Sequence, residues 1–205
     1  GSYTGTISVD NSTGVVSISN AAPVGMHTIT IRATDNCNAT TDATFTLNVN
    51  NTAPTFTPAS ALSRQQGSPA GAAVTVGTVS DAQTAAGALT VTQIAGGTAT
   101  GITVTGITNT NGTITAQVSA GCAATTGTVR FQVSDGSLTG TGDLQVNVTA
   151  NSAPVLTYNS PQAVNGGGSL MVSPASGPSD NGTVNTIVVQ SQGTYTGTIS
   201  VDNST

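Results

Sequence analysis

Apolar and polar residues alternate with a period of two along most of the chain. Val74-Thr75-Val76, Leu89-Thr90-Val91, Ile102-Thr103-Val104 and Val129-Arg130-Phe131-Gln132-Val133 each put apolar side chains on one face and Thr, Gln or Arg on the other. That is the pattern of a strand with one buried face. Strands are predicted near 61–66, 73–79, 88–95, 102–108, 113–119, 127–134 and 143–149. Asn109-Thr110-Asn111-Gly112 and Asp135-Gly136-Ser137 separate successive runs. They predict hairpin turns, because Gly and Asn accept positive φ.

The rest of the chain carries the same pattern in two pieces. Ser169-Leu170-Met171-Val172, Ile187-Val188-Val189 and Tyr195-Thr196-Gly197-Thr198-Ile199 supply early strands; Val15-Val16-Ser17-Ile18, His27 to Arg32 and Thr44-Phe45-Thr46-Leu47 supply late ones. Asn-Thr-Ala-Pro at 51–54 and Asn-Ser-Ala-Pro at 151–154 mark two equivalent junctions. Their spacing suits β-sandwiches of about 100 residues. Residues 51–150 are thus expected to form a complete module, with 151–205 the N-terminal half of a split one and 1–50 the C-terminal half. Neither half has enough strands to close a two-sheet core alone.

The two ends also share a sequence. Gly1 to Thr13 returns as Gly193 to Thr205, with Ser2 against Thr194 the single change. Such an echo reads as a window on a tandem array, opening and closing within a module. The duplicated strand is the fourth of the split module and runs through Tyr3, Ile7 and Val9 or through Tyr195, Ile199 and Val201. One of the two copies must be displaced when the module is completed.

Composition narrows the class. Threonine is roughly one residue in five, and with 25 Gly and 8 Pro it disfavours helix almost everywhere. An all-β fold is expected. Charged residues make up 5% of the chain, against roughly 25% in an ordinary domain. The three cations are all arginines and all eight acids are aspartates. With a net charge of −5, nucleic acid and anionic membrane surfaces are poor partners. No apolar run approaches a membrane span, and no signal peptide is apparent.

Catalytic chemistry finds little material. His27 is the single histidine, expected at an outward or edge position, and lysine, glutamate and tryptophan are absent. The aspartates are scattered over turns rather than paired for acid–base work. The chain is therefore expected not to be an enzyme and to need no cofactor. Without lysine, an internal Lys–Asn isopeptide cross-link cannot form.

Residues 30–49, Thr-Ile-Arg-Ala-Thr-Asp-Asn-Cys-Asn-Ala-Thr-Thr-Asp-Ala-Thr-Phe-Thr-Leu-Asn-Val, followed by Asn-Thr-Ala-Pro, resemble the closing hairpin of bacterial Ig-like or cadherin-like repeats. The resemblance extends over essentially the whole chain. It implies tandem antiparallel β-sandwiches, one complete and one split between the chain ends, and a structural or adhesive role on a cell surface. Cadherin-like repeats bind calcium at module junctions, and Asp35 and Asp135 occupy a position where that family often has a ligand. The linkers Asn50-Asn51-Thr52-Ala53-Pro54 and Ala150-Asn151-Ser152-Ala153-Pro154 carry no acid, so no metal is expected.

In an Ig-type topology, Cys37 (between the sixth and seventh strands) and Cys122 (between the fifth and sixth) lie at opposite ends of their sandwiches. No bond between them within one chain is expected, since a disulfide needs Cα atoms within about 7 Å. The expectation is instead that Cys122 bonds Cys37 of the following unit. Sequons stand at Asn11, Asn38, Asn50, Asn111, Asn147, Asn181 and Asn203. In a chain this rich in Asn, Ser and Thr they are weak signals of glycosylation.

The leading functional expectation is a structural repeat unit of an extracellular fibre, filament or cell-surface stalk, its split module completed head to tail by an identical neighbour. The alternative is an adhesin that recognises a surface glycan or protein. Tyr3, Tyr158 and Tyr195 are the only tyrosines for a sugar platform.

Overall fold

The computed structural model describes residues 2–203; Gly1, Ser204 and Thr205, at the outer ends of the repeated sequence, lie outside the described residues. Strands β1 (Thr6–Val9), β2 (Val16–Ser19), β3 (Gly25–Thr34) and β4 (Thr40–Val49) come first. The middle of the chain holds β5 (Thr55–Pro58), β6 (Leu62–Gln65), β7 (Val74–Ser80), β8 (Thr90–Ile94), β9 (Ile102–Thr110), β10 (Thr113–Ala120), β11 (Gly127–Ser134) and β12 (Thr139–Thr149). Strands β13 (Val155–Thr157) and β14 (Ser176–Ser179) follow. The fold is all-β.

Between residues 55 and 149 two four-stranded sheets face each other, ordered β5-β7-β10-β9 and β6-β12-β11-β8. The alternation dictates what lies between them. Ile114, Ala116 and Val118 of β10 meet Val129, Phe131 and Val133 of β11 and Leu144 and Val146 of β12, all buried. Phe56 stacks on Phe131 with ring centroids 5.1 Å apart. Burying such side chains contributes roughly 1.5–3 kcal/mol apiece. The outward faces carry Thr, Gln and the Arg130–Asp143 pair, bidentate at 2.7 Å across β11 and β12. The β9–β10 turn places Asn111 and Gly112 at φ 49° and 92°, and Asn109 accepts the Gly112 N–H at 2.8 Å.

The strand predicted near 61–66 is β6, and β5 before it was not predicted. The chain runs as β5 in one sheet, then crosses to β6 in the other, where it pairs in parallel with β12. Thr-Phe-Thr-Pro is too short to display alternation, yet Phe56 anchors it in the core. Gly140 and Gly142 of β12 make room for this crossing. A Cβ at Gly142 would stand 2.6 Å from the Phe56 ring, and one at Gly140 would meet the Pro54 carbonyl.

The terminal pieces are sparser. β1 pairs with β2, β3 with β4, and β13 with β14, each as a two-stranded sheet. No strand of residues 2–50 pairs with one of 151–203 among the described residues. The strands expected at 169–172, 187–189 and 195–199 are absent. Thr6-Ile7-Ser8-Val9 is a strand because β2 satisfies its backbone, whereas the identical Thr198-Ile199-Ser200-Val201 has no ladder and is irregular.

Candidate functional site

Chemically distinctive contacts gather around the two Ala-Pro segments, 51–54 and 151–154. At the first junction the linker side chain of Asn51 donates to Asp135 Oδ2 at 2.7 Å. The other oxygen of Asp135 accepts the N–H groups of Ser137 and Leu138, each at 2.7 Å, which shapes the β11–β12 turn. These backbone bonds, Leu138 first and then Ser137, hold the Asp135 carboxyl below its ordinary pKa. Thr52 donates its N–H and its hydroxyl to Gln83 Oε1 at 3.1 and 2.7 Å. Asp81 orders that loop by accepting from Gln83 and Thr84.

The second junction repeats much of this. Ser152 donates its N–H to Asn181 Oδ1 at 3.1 Å, as Thr52 does to Gln83, and Asn181 Nδ2 returns to the Ala150 carbonyl at 3.2 Å. Asp180 accepts from Gly182 in the place of Asp81. β13 pairs with β14 as β5 does with β7, Val155 opposite Ser179 where Thr55 is opposite Ser80. The sequence reading missed both latches. The repeats Ser80-Asp81 and Ser179-Asp180, each following a strand, were the available signal.

The turn shaped by Asp135 has a like elsewhere in the chain. The matching turn is in hairpin β3–β4, where Asp35 Oδ1 accepts the N–H groups of Cys37 and Ala39, both at 2.8 Å. That hairpin also repeats the cross-strand ion pair, Arg32 to Asp42 at 2.7 and 2.8 Å. Residues 156–203 surround a cavity of about 1030 Å³ lined by Leu156, Tyr158, Leu170, Val172, Ile187 and Ile199 among others. Between residues 55 and 149 the space between the sheets is filled by side chains of β10, β11 and β12.

The residues singled out in the sequence fall as follows. Tyr3 is half-buried and sits edge-on to His27, ring centroids 5.3 Å apart. Ile7 lies opposite Ile18, and Val9 opposite Val16. Their copies Tyr195 and Ile199 are exposed, and Ile199 and Val201 line the cavity. The outward placement of His27 is corrected: it is 7% exposed, and its Nε2 lies 2.8 Å from the Pro23 carbonyl. It shares the inward parity of Ile29 and Ile31, and the bond to Pro23 offsets the cost of burying a polar ring. Parity alone could have placed it.

Cys37 and Cys122 are both exposed, free thiols. The sequon residues Asn11, Asn38, Asn50, Asn111, Asn147, Asn181 and Asn203 are all exposed as well. Asn181 is engaged by the junction, and Asn203 is bonded to the backbone of Ile187. No group of three or more His, Cys, Asp or Glu gathers to hold a metal among the described residues, and no helix there is long and apolar enough to cross a membrane.

No family model matches the chain, and no curated protein matches it. Solved structures similar to it include an endo-fucoidan hydrolase from glycoside hydrolase family 107 (TM-score 0.37, 20% identity, 74% of this chain and 23% of that one). A variant of the same hydrolase matches at TM-score 0.37 and 19% identity, covering 74% of this chain and 24% of that one. A chimeric titin tandem matches at TM-score 0.32 and 18% identity, covering 70% and 75%. The chain spans about a quarter of the length of the hydrolase chains. The expectation that the chain is not an enzyme is corrected by these matches to hydrolases and is withdrawn. Likeness at these scores assigns no activity either. The all-β sandwich is the conclusion that stands.

Proposed function

We propose that this chain is a structural unit of an extracellular fibre or surface stalk, built of Ig-like modules, in which an identical neighbour completes the split module head to tail. One observation carries the reading. Residues 151–203 hold one two-stranded sheet, β13-β14, beside an open cavity lined by apolar and polar side chains, and residues 2–50 hold two more two-stranded sheets, β1-β2 and β3-β4. The open edge of β14 corresponds to the edge of β7 that pairs with β10. Its natural occupant is β2 of another copy. A contact of this kind uses a different surface on each partner and does not close on itself, so it propagates. The low charge supports lateral packing without stripping water from ions.

Electron microscopy of the chain at high concentration tests this. Unbranched rods with a two-module axial repeat are expected. Particles that never exceed the mass of one chain would overturn the reading.

A further inference from the structure

The first junction displays which loops meet when two modules abut. There the β2–β3 loop, Asn20 to Val24, lines one depression with Gln83, Asp135 and Ser137. In the central module the corresponding loop, between β10 and β11, carries Cys122. In hairpin β3–β4 the position of Ser137 belongs to Cys37. Each donates its backbone N–H to the aspartate two residues earlier, Ser137 to Asp135 at 2.7 Å and Cys37 to Asp35 at 2.8 Å.

At the second junction Gln66 joins the two sites that matter. Its Nε2 donates to the Ala124 carbonyl at 2.9 Å, in the Cys122 loop, and its Oε1 accepts the Asn151 N–H at 3.0 Å. Asn151 therefore stands beside the Cys122 loop, its side chain exposed.

Resting on the head-to-tail reading above, we propose that this pole receives the β3–β4 turn of a second copy. Asn151 donates to Asp35 as Asn51 donates to Asp135, and seating the turn brings Cys37 against Cys122, which close a disulfide between copies. The surface is continuous with the junction already formed by Gln66 and Asn151, and an amide donor meets a carboxylate acceptor, a charge-assisted bond. In closing, the two thiols lose two protons and two electrons. A small disulfide takes them up by thiol–disulfide exchange and departs as two thiols. The first junction sets a loop without sulfur, residues 20–24, against Ser137, so every second junction is stapled.

Oxidation with glutathione disulfide, followed by non-reducing electrophoresis of denatured chains, tests this on the full chain and on Cys37→Ser and Cys122→Ser. The wild type is expected to give a ladder of covalent oligomers that collapses in reductant. Each variant alone should stay monomeric, and an equimolar mixture should give dimers and nothing larger. Asn151→Ala should slow cross-linking about tenfold, the loss of one charge-assisted hydrogen bond. Homodimers of either variant as abundant as mixed dimers, or a wild type that does not cross-link, would overturn the proposal. Sedimentation of the double variant Cys37→Ser/Cys122→Ser separates the two ideas. Self-association that persists without cysteines leaves the fibre reading in place when the staple fails, and its loss removes the reading as well.

Discussion

Asn51 and Asp135 lie 84 positions apart in sequence, yet they are joined at 2.7 Å. The bond ties the linker entering the central module to the turn that precedes its last strand. A carboxylate that already accepts two backbone N–H groups is thereby made a fixed point of the module's pole. Asn51→Ala is expected to lower the thermal midpoint of the chain. Asn51→Asp should lower it further, because it sets two carboxylates against each other. Scanning calorimetry of the three proteins at neutral pH checks the order.

Acid should loosen the same pole. Asp135 is held below its ordinary pKa chiefly by the N–H groups of Leu138 and Ser137, Asp143 by Arg130, and Asp10 by Ser12 and Thr13. A carboxylate with a depressed folded pKa contributes stability that is fully present above its unfolded pKa and is lost as pH falls through the folded one. The thermal midpoint is therefore expected to be level above the ordinary aspartate value of 3.8 and to fall below it. Asp135→Asn should make that fall shallower. A midpoint that rises on acidification would contradict the assignment.

The core should be unforgiving at Phe131, which is fully buried and stacked on Phe56. Phe131→Ala is expected to destabilise the chain by about 3–5 kcal/mol and Leu144→Ala by about 2–5 kcal/mol. Denaturant titration followed by circular dichroism measures both.

Gly140→Ala tests the crossing of β5 over β12. The added Cβ would meet the Pro54 carbonyl, so the start of β5 must shift. A loss of about 1–3 kcal/mol is expected. Gly71→Ala, where nothing lies within 4 Å of the new Cβ, is the control and should be near neutral.

Much of the sandwich was legible because alternation writes burial into sequence. Val129, Phe131 and Val133 announce their inward face, and β9 to β11 begin where the pattern begins. β5 was not legible, since Thr55–Pro58 carries one core side chain and its placement depends on Gly140 and Gly142 of β12. Nor could local pattern foresee that Thr6–Val9 and Thr198–Val201, identical in sequence, differ in structure. A strand is a property of two edges, and only one copy has its second edge. The junction latches were hidden for a related reason: Asn51, Gln83 and Asn181 read as ordinary turn residues until long-range contacts give them partners.

Sedimentation velocity of the full chain in reductant, across a wide range of concentrations, asks whether one copy completes another without help from the thiols. A concentration-dependent series running from monomer through dimer to open-ended oligomers is expected. A single monomeric species at every concentration, with 151–203 ordered by 2–50 of the same chain, would contradict it.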